Sequence, residues 1–129
     1  MTPERRANFQ RLLSPRHIAF IGGRDATIAI KEARRRGFQG QMWAVNTKRS
    51  ELAGLPCVAS INDLPEAPDA VYLAIPAGRV VAALQTLAQM GAGGVVCFWR
   101  ISLAPAFIAS SISCTLPPEV KTRIGMCFA

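Results

Sequence analysis

Acidic side chains are scarce in this chain: eight Asp and Glu stand against fifteen Lys and Arg in 129 residues, leaving a formal charge of +7. The deficit is local. Residues 1–50 hold eleven cations against Glu4, Asp25 and Glu32, while the remainder sums to −1. The N-terminal half therefore attracts anions, either nucleic acid or a phosphate-bearing cofactor. Aromatic residues make up only 7% and do not interleave with the cations as a base-stacking surface requires, which argues against nucleic acid. Histidine is limited to His17, and Cys57, Cys97, Cys114 and Cys127 lie 40, 17 and 13 residues apart. Zinc sites use closely paired ligands, so no metal is expected and the cysteines read as reduced, apolar thiols. His17 opens a predicted strand with no Cys or Ser nucleophile beside it, so it reads as structural and no catalytic residue is assigned. No apolar run reaches the ~20 residues that span a bilayer, the nearest, residues 101–118, being broken by Pro105 and five Ser or Thr. The opening residues lack the apolar stretch of a secretory signal. The expected location is cytoplasmic, with no membrane association.

Half of the residues are hydrophobic, enough for a single domain to bury a core without disulfides. A basic amphipathic opening, with Phe9, Leu12 and Leu13 on one face, predicts a docking helix that ends at Ser14-Pro15. The apolar run from His17 to two glycines, Gly22 and Gly23, predicts a buried strand entering a tight turn. Asp25 or Thr27 is the expected N-cap of a helix reaching about Arg36, stopped by Gly37. The unit then repeats. Strands are expected at residues 41–45, 55–58, 70–75 and 94–98, with a helical turn at 60–64. Pro76 starts a helix whose apolar stripe is Val80, Leu84, Leu87 and Ala88. Alternation of apolar strands with helices implies an α/β, Rossmann-like parallel sheet with helices on both faces, whose ligand sits beyond the carboxyl ends of the strands. Those ends are Gly22-Gly23, the loop from Asn46 to Arg49, and Ile75-Pro76-Ala77. Gly22 and Gly23 before a helix offer amides to a phosphate, Arg24 adds a cation, and Lys48 and Arg49 are further phosphate candidates. A dinucleotide fingerprint is absent: the sequence Gly22-Gly-Arg-Asp-Ala-Thr27 is not G-x-G-x-x-G, and Asn46 stands where an acid would bind ribose hydroxyls.

Several ordered blocks go beyond these general patterns. They are Leu13-Ser-Pro-Arg-His-Ile-Ala-Phe-Ile-Gly22, Gly37-Phe-Gln-Gly-Gln-Met-Trp-Ala-Val-Asn-Thr-Lys48, Gly54-Leu-Pro-Cys57, Leu64-Pro-Glu-Ala-Pro-Asp69 and Ala74-Ile-Pro-Ala77. Over residues 12–98 the chain resembles the CoA-binding domain of ADP-forming acyl-CoA synthetases, related to the α subunit of succinyl-CoA synthetase. The resemblance implies coenzyme A as cofactor, held through its phosphate and nucleotide part. It implies Gly22, Gly23, Arg24, Asn46, Lys48, Arg49, Ile75, Pro76 and Ala77 as the contacts. It further implies CoA or acyl-CoA as the small-molecule partner and catalytic domains on another chain, since no phosphohistidine or ATP-grasp module is recognisable. The first loop is several residues shorter than in most relatives, Thr47 replaces the usual proline, and the resemblance stops after Phe98. Residues 1–98 are thus expected to form the CoA-binding domain with its N-terminal helix. Residues 99–129, with four charges, Pro117-Pro118 and a predicted helix at 104–112, are expected to be a divergent C-terminal segment of the same domain. An apolar tail of this kind is suited to cover by a second copy, so a homodimer is expected. The rival readings are an NADP-linked oxidoreductase or redox sensor, with Lys48 and Arg49 on the 2′-phosphate, and a basic nucleic-acid-binding or assembly protein.

Overall fold

A computed structural model of the chain describes residues 1–98 and, as backbone, 125–128. Three helices and seven strands follow in the order α1 (Pro3–Leu13), β1 (His17–Gly22), α2 (Arg24–Arg35), β2 (Gln41–Val45), β3 (Glu51–Leu52), β4 (Leu55–Val58), β5 (Ala70–Ala74), α3 (Ala77–Met90), β6 (Gly94–Cys97) and β7 (Gly125–Phe128). A single 3-10 turn, Ile61–Asp63, is capped by the Ser60 hydroxyl. The strands form one sheet in the order β3-β4-β2-β1-β5-β6-β7. Every pairing is parallel except the short β3–β4 hairpin. This is the Rossmann-like α/β fold anticipated above, and the strand order reverses direction between β1 and β5. β3 and β7 were not anticipated: two residues are too few for a periodic signal, and β7 lies in the tail. The predicted helix at 104–112 falls outside the described residues.

Two cores follow from strand alternation. Val71, Leu73 and Val95 pack with Val80, Leu84 and Leu87 of α3 on one face, while Phe20 and Ala44 pack with Ala26 and Ile30 of α2 on the other. α1 lies on the α2 side over β6, where Leu12 sits against Gly94 so closely that a Cβ there would meet it at 2.9 Å. Of the face expected for α1, Leu12 is the residue that docks on the sheet. Phe9 and Leu13 are exposed, because α1 is held by a polar contact from Arg11 beside Leu12 rather than by an apolar stripe. The N-cap of α2 also differs from expectation. It is Gly23, not Asp25 or Thr27, because the Gly23 carbonyl accepts both the amide (3.0 Å) and the hydroxyl (3.1 Å) of Thr27.

The polar contact that holds α1 centres on Asp69, which precedes β5 and is 1% exposed. Its carboxylate accepts from Arg11 Nε (2.7 Å), from the Arg16 amide (3.0 Å) and from Arg16 Nε (3.2 Å). Arg11 also donates to the Gly91 carbonyl at 3.0 Å. The Asp69 amide donates to His17 Nδ1 at 3.0 Å, and His17 stacks on Trp43. His17 is structural here, at the amino edge of the sheet. Burial alone would raise the Asp69 pKa, but the hydrogen bonds from Arg11 and Arg16, with His17 nearby, outweigh it and hold the carboxyl at about 2. A depressed carboxyl stabilises the fold above the ordinary carboxylate range, and that stabilisation is lost as pH falls from about 4 towards 2. The shift corresponds to roughly 2–3 kcal/mol. Asp69→Asn is expected to cost about 3 kcal/mol at pH 7 and to flatten the stability profile between pH 4 and 2, as read by urea denaturation across that range.

Candidate nucleotide site at the carboxyl edge

The strand reversal leaves a crevice at the carboxyl ends of β2, β1 and β5. A cavity of about 490 Å³ occupies it. Gly22 ends β1 at φ +145, and a Cβ there would run into the Ala74 carbonyl of β5. Only glycine lets β1 and β5 approach this closely at their carboxyl ends. Gly23 is different, since the nearest atom to a Cβ built on it is Asn46 Nδ2 at 4.0 Å. No side chain caps α2 or α3, so the leading amides of both helices stay available to an anion at this edge.

Asn46 ties the loops together. Its Nδ2 donates to the Gly22 carbonyl at 2.8 Å, and its Oδ1 accepts from the amides of Lys48 (2.8 Å) and Arg49 (2.9 Å). One side chain thus braces the end of β2 against the end of β1 and fixes the turn that carries Lys48. Of the nine residues expected at the site, Gly22, Gly23, Asn46, Lys48, Ile75 and Pro76 line the cavity. Arg24, Arg49 and Ala77 lie outside its lining.

The sequence reading did not include the far wall. Ser60, Ile61 and Asn62 of the 3-10 turn form one side, and Arg79, Ala82, Ala83 and Thr86 of α3 the other. The α3 residues are spaced i, i+3, i+4 and i+7 and so share one helical face, next to the apolar stripe that was recognised. Small side chains at 82 and 83 opposite Ile61 leave a slot with apolar walls. That spacing was available in the sequence; its meeting with a turn some twenty residues earlier was not. Lys48 and Arg79 are the charged residues of the lining. Two thiols among the described residues are held away from the nucleophilic thiolate: burial pushes Cys97, on β6, up to about 11, and burial, with Glu51 nearby, raises Cys57 on β4.

Residues 16–110 match the family model of the CoA binding domain. The chain belongs to the CoA-binding domain family. Membership brings coenzyme A as the ligand, and the match extends twelve residues beyond Phe98, where the resemblance in sequence had stopped. Trans-feruloyl-CoA synthase from an unknown prokaryotic organism is 38% identical over 93 residues, which is 68% of this chain and 13% of that protein. The ADP-forming acetate–CoA ligase I of Archaeoglobus fulgidus is 32% identical over 92 residues, 67% of this chain and 13% of that protein. Among solved structures, the dinucleotide-forming acetyl-coenzyme A synthetase 1 of Candidatus Korarchaeum cryptofilum, in complex with phosphate and ADP, superposes with a TM-score of 0.71. It is 20% identical and is covered over 26% of its length by 93% of this chain, a likeness of fold. This CoA-binding domain thus spans about an eighth of the curated relatives it matches.

The two glycines make separable predictions. Gly22→Ala places a side chain in a left-handed conformation and against Ala74, and is expected to lower the unfolding free energy by about 2 kcal/mol or more. Gly23→Ala meets open space, and its thermal midpoint is expected to stay within a few degrees of wild type.

Proposed function

We propose that this domain binds coenzyme A by its 3′-phospho-ADP end, with the diphosphate at Gly22-Gly23 and Lys48 and the adenine in the slot between Ile61 and Ala82-Ala83. The observation that carries this reading is the cavity itself. Its lining includes a glycine turn that leads into a helix without a side-chain cap, two cations, Lys48 and Arg79, and the apolar side chains of Ile61, Ala82 and Ala83. The Asn46 brace supports the assignment, because it holds the Lys48 turn in place before a ligand arrives and so lowers the ordering cost of binding. Arg24 and Arg49 sit next to lining residues and add positive potential around the diphosphate; Ala77, beside Pro76, contributes its amide from the first turn of α3.

The same reading makes the domain non-catalytic by itself. Its histidine is at the opposite edge of the sheet, holding the Asp69 amide, and the cavity lining contains no Cys, His, Asp or Glu. Its contribution is to hold the handle of CoA while the thiol reacts in catalytic domains supplied by other chains, as in an ADP-forming acyl-CoA synthetase. No helix among the described residues is long and apolar enough to cross a membrane, in keeping with a proposed cytoplasmic location. A homodimer completes the proposal, with Phe9 and Leu13 exposed on α1 as apolar surface; sedimentation should then give twice the mass of one 13.9 kDa chain.

Calorimetric titration tests the ligand. CoA and 3′-phospho-ADP are expected to bind with micromolar affinity, and NADP, whose phosphate is on the other ribose hydroxyl, much more weakly. Replacing Lys48 by Ala should cost about 1.5–3 kcal/mol of CoA binding through the lost charge-assisted hydrogen bond. Unchanged CoA affinity in Lys48→Ala would remove that residue from the site, and tighter binding of NADP than of CoA would favour the oxidoreductase reading instead.

A further inference from the structure

Five of the ten arginines among the described residues hold a partner through the guanidinium. Arg11 and Arg16 hold Asp69, Arg34 donates to the Ala53 carbonyl, and Arg35 and Arg36 reach Glu32. Arg79 is the arginine that lines the cavity, and its guanidinium makes no hydrogen bond or ion pair with any described residue. It stands one turn into α3, heading the helical face that continues through Ala82, Ala83 and Thr86.

Topology separates the two cations of the cavity. β1 lies between β2 and β5, and each strand step is about 4.8 Å, so the ends of β2 and β5 are about 10 Å apart. Lys48 follows β2 and Arg79 follows β5, and the glycine turn lies between them. A diphosphate spans only a few ångströms and occupies the glycine turn with one neighbouring cation. It leaves the other cation unsatisfied. A ligand that satisfies both carries a second phosphate, set apart from the first and close to the nucleoside slot, since Arg79 shares its α3 face with Ala82 and Ala83.

We infer that Arg79 is a specificity-determining residue that reads the ribose 3′-phosphate of the bound nucleotide and so selects CoA over dephospho-CoA. This rests on the CoA reading above. The planar guanidinium suits a terminal phosphate, which it grips with two parallel N–H···O hydrogen bonds, whereas Lys48 offers a point charge to the diphosphate. Dephospho-CoA keeps the adenine, the diphosphate and the pantetheine, and differs only in the group that Arg79 is assigned to hold.

The test is a titration of the full chain with CoA and with dephospho-CoA, for wild type, Arg79→Ala, Arg79→Lys and Lys48→Ala. Wild type is expected to bind CoA at least tenfold tighter than dephospho-CoA. Arg79→Ala should lose that preference by weakening CoA tenfold or more while leaving dephospho-CoA within twofold. Arg79→Lys should recover part of the preference, and Lys48→Ala should weaken both ligands alike. If Arg79→Ala weakens both ligands equally, or neither, the inference is overturned while CoA binding stands. Equal wild-type affinity for the two ligands overturns it in the same way. Failure of folded wild type to bind either ligand would overturn the CoA reading itself.

Discussion

The pairing of β1 with β5 is the constraint on which the rest of this molecule depends. The two strands are more than fifty residues apart along the chain, yet they lie side by side with Ile18 opposite Ala70 and Gly22 opposite Ala74. They are secured at both ends by different physics. At the amino end Asp69 gathers Arg11, the Arg16 amide and the ring of His17; at the carboxyl end the missing side chain of Gly22 allows contact with the Ala74 carbonyl. Register between them fixes where the β1 turn and the start of α3 stand relative to one another. The crevice between the two halves of the sheet follows from that placement.

Division of labour between the two edges of the sheet explains how one short chain combines rigidity with an accessible site. Buried charge, the histidine and the long salt-bridging arginines are concentrated at the amino edge, where they are satisfied by one another. The carboxyl edge contains open helix ends, glycine, and cations free of partners among the described residues. Placing an uncompensated positive field where the strands end gives an anionic ligand a favourable approach. The same field next to Asp69 would only have competed with its existing partners.

Much of this was legible in the sequence. Strand 41–45 and strand 55–58, the Gly37 stop of α2 and the apolar stripe of α3 are local patterns, and local patterns survive into the fold. So did Gly22, Lys48, Ile75 and Pro76 as residues at strand ends, because topology alone puts strand ends together in a parallel sheet. What escaped was tertiary. Arg11 looked like one more basic residue of an amphipathic helix until Asp69 was placed beside it, and nothing local marked Leu12 as the residue of its apolar face that meets Gly94 of β6. The 3-10 turn at Ile61 gains meaning only from its position opposite Ala82 and Ala83. Asn46 was read as a ligand contact, whereas three hydrogen bonds show it working first as a brace between two loops.

The β3–β4 hairpin has a bearing on how this protein survives at high concentration. A parallel sheet that ended on β4 would present an open row of amides and carbonyls to any neighbouring molecule, inviting strand-to-strand growth. Here two residues of β3 turn back antiparallel through Ala53 and Gly54, both at positive φ, and the Arg34 side chain ties the Ala53 carbonyl to α2. The border of the sheet is thereby short and guarded by a cation. Shielding of that edge from strand-to-strand growth falls to Glu51, Leu52, Ala53, Gly54 and Arg34.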